Sequence, residues 1–416
     1  MQDTLEVEIQ EIVDAAHRYQ QCLDVEGTSG ASNGVVQPAN LRESRRALLE
    51  TLNKWKLIAA GPTEQWEQTT INYCAESCLN WLLQFDIPRL VPLDATTTYS
   101  EVAEAAAVPE QELRRIMRFG MTQGLFSEAT PGQIVHTPYS AAFATNEDYR
   151  QVVLLQTGFF SPMMKCLAEA TKAHDAPSSM NTAAFNIAMQ TENSFYAHVA
   201  KTPELTKRFG SGMRFLAGAD DTSPKFLVEY FDWTALGNAH VVDVGGSTGH
   251  ISAALAKAYP ALTFTVQDLP PMIAKANVSQ LSPDISGRIE FVPHNFFHPQ
   301  PETSRDADVF LLRMILNNWT SLKCEEILTN VAAIMRPGAV MLLNNFMLHE
   351  PGTVGKRAEA LERARDLFQM AAMNGMERDL DGWNELVGKI AGLRIREVIR
   401  QPGSSQALIV VDKEAS

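Results

Sequence analysis

The sequence predicts a two-part α/β protein: a doubly wound, Rossmann-like domain preceded by a mostly helical domain with a winged-helix pattern. Three observations predict it. At 416 residues the chain is too long for one average domain. Its first half carries apolar residues at three- and four-residue spacing, whereas from about Val241 short apolar runs alternate with helical stretches. A glycine-rich turn, in VVDVGGSTGH, joins the first of those runs to a helix.

In chain order, residues 1–40 read as an N-terminal helix and a small polar linker, GTSGASNGVVQPAN. Residues 41–205 follow as the helical domain, and 206–416 as the Rossmann-like domain. LRESRRALLETLNKWKLIAA and NYCAESCLNWLLQF are amphipathic helices by spacing. Between Thr98 and Phe143, TYSEVAEAAAV and PEQELRRIMRFGMTQGLF read as two helices, and SEATPGQIVHTPYSAAF as a hairpin returning to a helix. That is a winged-helix order. A winged helix can bind DNA, but this one clusters only Arg114, Arg115 and Arg118 in a chain of formal charge −14, so a structural or dimerising use is expected.

Further on, strands are expected at 241–244, 264–268, 289–292, 308–313 and 339–346, and helices at 249–258, 271–278, 322–335 and 355–374. IREVIR and QALIVVD form a closing pair of strands. Repeated β-α units imply a parallel sheet, with an antiparallel strand near the end.

The acidic balance argues against nucleic acid or an acidic membrane as partner and leaves a small molecule. The N-terminus, MQDTLEVEIQEIVDAAHRY, has neither the basic nor the apolar region of a secretory signal, and no apolar stretch reaches bilayer length. Cys22, Cys74, Cys78, Cys166 and Cys324 are odd in number and scattered, which suits reduced thiols in a cytoplasmic protein and no metal framework.

The turn is the strongest local signal. Gly245, Gly246 and Gly249 let the backbone bend sharply and approach a ligand, and the helix that follows offers unpaired N–H groups. Asp268 ends the next strand, where a carboxylate can accept both ribose hydroxyl protons. Asp243 precedes the glycines by two residues, and an acid there can hold a ligand amine. The three together point to an amino-acid-bearing nucleoside rather than a pyrophosphate.

With these motifs the sequence resembles the plant- and fungal-type O-methyltransferases that use S-adenosyl-L-methionine. The resemblance runs through VHTPYSAAF, NSFYAHVAKTPELTKRFGSGM, VVDVGGSTGH, TVQDLP, FVPHNFFHPQP, FLLRMILNNW, IMRPGAVMLLNNFMLHEPG and MAAMNGMERDLDGW. It implies that cofactor, a homodimer intertwined through the N-terminal half, and cofactor contacts at Asp243, Gly245, Gly246, Asp268, Asn295, Phe296 and Arg313. Asn295 stands where the family usually has an aspartate for the adenine amine, though an amide oxygen can still accept that bond.

The resemblance breaks at the chemistry. The family signature is Leu-His-Asp-Trp, with the histidine as general base; here Leu316 and Trp319 are in register but Asn317 and Asn318 lie between them. Asparagine takes no proton near neutral pH. Asn345 also replaces an acid that helps hold the family histidine, while Glu377 keeps a matching carboxylate. Capping of the following helix is an alternative use of the two asparagines, with Thr320 an equal candidate.

The pattern is similar to the O-methyltransferase-like pericyclases of the leporin and pyridone pathways. That likeness implies dehydration or pericyclic closure (Alder-ene or hetero-Diels–Alder) of a polyketide-derived pyridone quinone methide, with the cofactor as a fixed cation and no methyl transfer. Arg313, His136, Glu377 and Asn317 are then the catalytic candidates, and Phe185, Met189, Met370 and Met373 the pocket lining. Core packing explains those apolar residues more readily than pocket lining does, and cofactor contact alone explains Arg313 at least as well as substrate contact. An atypical O-methyltransferase is the second expectation, and a non-catalytic regulatory relative the third.

Overall fold

The computed structural model describes residues 2–26, 39–173, 182–217, 222–276, 281–401 and 403–414; the expected linker lies almost wholly outside them. Two compact units divide the chain, one of residues 1–165, 196–216 and 354–361, the other of 166–195, 217–353 and 362–416.

The first unit is helical. Helix α1 (Gln2–Glu26) lies along α2 (Ala39–Ala59), tied by Lys54 to Glu11 at 3.0 Å. Helix α3 (Pro62–Gln84) starts on a proline at a position that needs no N–H, with Glu64 accepting from the Gly61 N–H at 2.9 Å. Next come α4 (Tyr99–Ala106), whose start is a Thr98/Glu101 capping box, and α5 (Glu110–Thr122). The short strands β1 (Thr97–Thr98), β2 (Ser127–Thr130) and β3 (Gln133–Val135) form an antiparallel sheet in the order β1-β3-β2, and α6 (Pro138–Thr145) follows. Leu82, Leu113, Met117, Ile134 and Phe143 close the core beneath them. Two of the three clustered arginines are committed here: Arg114 and Arg118 lie over the Tyr99 ring, and Arg118 pairs with Glu128 at 3.0 Å.

The second unit is built on a seven-stranded sheet. Its strands are β4 (His240–Val244), β5 (Thr263–Asp268), β6 (Ile289–Pro293), β7 (Val309–Arg313), β8 (Val340–Phe346), β9 (Leu393–Arg400) and β10 (Gln406–Lys413). The order is β6-β5-β4-β7-β8-β10-β9; the first five are parallel, and β10 enters antiparallel between β8 and β9. Strand order reverses between β4 and β7, and at such a switch point the strand ends open a crevice for ligand.

Helices α7 (His250–Ala258), α8 (Ser321–Ile334), α9 (Lys356–Met373) and α10 (Leu380–Gly388) accompany the sheet. Two apolar cores cover its faces, one around Phe310, Leu312, Leu343 and Trp383, the other around Val241, Phe264, Leu311 and Leu342. Strands buried on both faces read as unbroken apolar runs, which is why they were legible in sequence. The helix expected at 271–278 is only a turn, Pro270–Ile273, and its last two residues lie outside the described ones. Among the described residues, no helix is long and apolar enough to cross a membrane, and no group of three or more potential ligands is placed to hold a metal ion.

Candidate active site

The glycine turn after β4 is forced by its neighbours. Gly245 has φ 74° and Gly249 φ 78°, conformations that L side chains rarely adopt. A Cβ on Gly245 would lie 2.5 Å from Ile315 Cδ1, and one on Gly249 2.8 Å from Phe291 Cζ. At Gly246 the obstacle is Asp243, whose Cγ would be 2.5 Å away. The turn is held from the next strand: the N–H groups of Gly245 and Gly246 donate to the Gln267 carbonyl at 2.8 and 3.0 Å.

Asp268 clamps the same turn. One carboxylate oxygen accepts the Ser247 N–H at 2.8 Å and the other the Leu269 N–H at 2.7 Å. Each oxygen retains a lone pair, so the carboxylate can still accept two ribose hydroxyls. This donor and acceptor set fits the nucleoside part of S-adenosylmethionine.

Asp243 has a different place from the one its motif suggests. It is 2% exposed, packed directly against Gly246, and accepts the Ser252 hydroxyl at 2.7 Å. Burial pushes its carboxyl up to about 6, with the Ser252 bond and the Arg313 charge acting against that rise. Arg313, at the end of β7, is also engaged. Its Nε donates to Asn344 Oδ1 at 3.1 Å, and its Nη2 to the Thr222 carbonyl at 2.7 Å and to Gln406 Oε1 at 3.3 Å. Burial lowers its pKa and Asp243 raises it.

Asn295 follows β6. Its Oδ1 accepts the Phe297 N–H at 3.1 Å, bending the chain so that Phe296 meets Phe297 and Trp319 edge-on. The Phe296 ring edge would be 3.6 Å from a Cβ on Gly245, so it borders the glycine turn.

A second polar cluster lies where β7 leaves the sheet. Met314 takes a left-handed φ of 56°, and Leu316–Asn318 form a 3-10 turn. The asparagines do not cap α8. Thr320 occupies the cap position without a side-chain cap bond, and Asn318 Nδ2 donates back to the Met314 carbonyl at 3.4 Å. Long-range contacts hold the turn instead: the Asn317 carbonyl accepts the Met376 N–H at 3.1 Å, and any side chain on Gly375 would collide with that carbonyl.

Asn317 Nδ2 donates to Glu377 Oε1 at 3.4 Å, and both residues are buried. Their other atoms, Asn317 Oδ1 and Glu377 Oε2, have no hydrogen-bond partner, nor has either amide atom of the wholly buried Asn345. Burial pushes the Glu377 carboxyl up to about 7; the Asn317 bond lowers it, Asp366 raises it, and Arg365 and Arg378 lower it.

Arg378, buried at 3% exposure, reaches the Leu316 carbonyl at 3.4 Å and lies over the Trp383 ring. Nothing in its sequence position marked it, nor the Asp366 carboxylate that accepts the Glu377 N–H at 2.9 Å. Both are reached only through folding.

His136 belongs to the first unit, and both ring nitrogens are occupied there: Nδ1 with Ser140 Oγ at 2.9 Å and Nε2 with the Val91 carbonyl at 3.0 Å. The Val91 carbonyl requires a proton on Nε2, which a neutral ring protonated there provides. Burial lowers its pKa, in keeping with that form. Of the expected pocket residues, Phe185 is fully buried against Phe195, which meets Phe368 edge-on. Met373 is buried, Met189 half-buried and Met370 exposed.

The O-methyltransferase domain family matches residues 172–394. An O-methyltransferase of Byssochlamys spectabilis, VdtC, is 37% identical over 94% of this chain and 91% of its own length. The Aspergillus oryzae O-methyltransferase aoiF is 36% identical over 89% of each. Among solved structures, OxaC superposes with a TM-score of 0.75 at 22% identity, covering 99% of this chain and 100% of its own. A structure described as a pericyclic reaction enzyme gives 0.73 at 19% identity, covering 98% and 100%.

Proposed function

Because the chain belongs to the O-methyltransferase domain family, we propose that it methylates a hydroxyl of a small aromatic polyketide-type metabolite. The carrying observation is the nucleoside cradle: a side-chain-free turn at Gly245 and Gly246, clamped by an Asp268 carboxylate that keeps a lone pair on each oxygen. S-adenosylmethionine supplies, when bound, a methyl group on a positively charged sulfur. Gly245, Gly246 and Asp268 would hold it, with Asn295 and Phe296 the residues available to its adenine. Asp243 supports the turn from within the sheet, and Arg313 balances its charge. Phe185, Met189, Met370 and Met373 remain the proposed pocket lining. The helical residues 41–205 serve as the dimerisation domain of a homodimer, with the helix–helix–hairpin segment as its winged helix.

Relatives that cover about nine-tenths of the chain at 36–37% identity carry O-methyltransferase names, which supports methyl transfer over the alternatives. A second reading is favoured by one observation. The buried Asn317 stands at the base position and takes no proton. In that reading the protein dehydrates or cyclises a quinone methide beside an unconsumed cofactor. Its donors would be Arg313 and His136. The three internal acceptors on Arg313 and the two occupied nitrogens of His136 count against it.

Incubation with S-adenosylmethionine and a panel of hydroxynaphthalenes, hydroxynaphthoquinones and pyridone alcohols decides between them. Release of S-adenosylhomocysteine in step with product supports methyl transfer. A dehydrated or isomeric product with the cofactor intact establishes the second reading instead.

A further inference from the structure

A buried carboxyl with one free oxygen sits beside the residue that stands in for the family's base. Resting on the methyl-transfer reading, we propose that Glu377 is the proton acceptor through Oε2, that Asn317 positions it through Oε1, and that the substrate hydroxyl is phenolic or enolic.

The geometry carries this. Glu377 is 4% exposed, its Oε1 is held by Asn317 Nδ2 at 3.4 Å, and its Oε2 has no partner. A buried polar atom without a partner is costly unless a ligand or water completes it. The backbone around it is fixed at three points: Glu377 N–H on Asp366, Met376 N–H on Asn317, and Met347 bridged to Arg378. Asn345 shares its strand face with Leu343 and Met347, both in the core that includes Leu316 and Trp383, so its unpartnered amide borders the same end of that core. Such donors and acceptors suit an oxygen-rich ligand.

The charged groups around Glu377 are Arg365 and Asp366 on α9 and Arg378 on its own turn. With its carboxyl lifted to about 7, Glu377 is part carboxylate at neutral pH and a stronger base than an ordinary glutamate. That choice limits the substrate. A plain phenol ionises near 10, about three units above such a base, a gap that an imidazole base shares, and a water-like hydroxyl at about 15.7 lies far beyond both. A phenolic or enolic hydroxyl is therefore within its reach, and an alcohol is not.

In the step itself, the substrate O–H bond breaks and its proton passes to Oε2. The oxygen's electron pair forms the new bond to the methyl carbon. The carbon–sulfur bond of the sulfonium donor breaks, leaving its pair on a neutral thioether, and Glu377 releases the proton to solvent as product leaves.

The test uses the full chain, S-adenosylmethionine, and two probes, 1-naphthol and 2-naphthalenemethanol. The phenol is expected to be methylated and the alcohol not, with kcat/KM for the phenol rising through about pH 7. Glu377→Gln should lose about 100-fold or more in kcat, with unchanged S-adenosylhomocysteine binding by calorimetry as the check on folding. Infrared difference spectra should show a carboxyl band that titrates near pH 7 and vanishes in that variant. Asn317→Ala should move the titration upward, since it removes a bond that favours the carboxylate. A Glu377→Gln enzyme with the wild-type rate and pH profile overturns the assignment, as does a wild-type protein with no such titrating band. A titrating Glu377 with no S-adenosylhomocysteine from either probe, alongside a dehydrated or isomeric product from the pyridone alcohols, overturns the methyl-transfer reading instead.

Discussion

Two buried carboxyls contribute a pH dependence at the scale of single residues. Glu377 moves from 4.5 to about 7 and Asp243 from 3.8 to about 6, both because burial disfavours the charged form. A carboxyl whose pKa is higher folded than unfolded favours the fold while protonated. Its contribution is full below the unfolded value and is lost as pH rises through the folded one. The Glu377 shift corresponds to about 3 kcal/mol at most. The Glu377 contribution therefore falls between about pH 4.5 and 7, against the rise from His136, His240, His250 and His294, whose values burial lowers, so Glu377→Gln should make the change of stability with pH across that window more positive, read as urea midpoints. An unchanged slope would remove Glu377 as a contributor. The types of these residues were visible in the sequence. Their pKa values were not, because the desolvation comes from segments distant along the chain.

Among the elements, the glycine turn is the one most exposed to substitution. Gly245→Ala meets two obstacles, a left-handed backbone and the Ile315 side chain. It should weaken S-adenosylhomocysteine binding at least tenfold in calorimetry. Adding Ile315→Ala should recover part of that loss, since it removes the collision and leaves the backbone cost. No recovery would show that the backbone alone decides. The turn was legible because strand, glycines and helix are contiguous in sequence. The use of Asn317 and Asn318 was not: two asparagines before a helix satisfy the local rule for a cap, yet the turn is held by Met376 and Arg378, about 60 residues further along the chain. Asp243 likewise matched a ligand-binding motif, and its burial against Gly246 became visible only once the turn was folded.

For the whole molecule, the proposed homodimer has a candidate surface in the first unit. Trp66, Ile58 and Tyr73 on α2 and α3 are 69%, 53% and 55% exposed, more large apolar surface than helices in water usually leave bare. Sedimentation should give about twice the 45.9 kDa chain mass, and Trp66→Asp should shift the distribution toward the single chain. A wild-type protein at the single-chain mass would exclude the dimer. With a formal charge of −14, and Arg114 and Arg118 already engaged by Tyr99, duplex DNA should not be retarded at physiological salt.

The sequence by itself determined the alternation of strands and helices, the parallel sheet with its antiparallel ending, and the glycine cradle with Asp268. Those features depend on burial patterns and turn chemistry that act over a few residues. Only the tertiary structure decided which polar atoms are left without partners. Arg313 and His136, natural donors by type, are occupied by acceptors that folding brings to them, whereas Glu377 keeps Oε2 free. Hydrogen-bond satisfaction and desolvation are properties of the packed interior, and residues distant in sequence jointly create them.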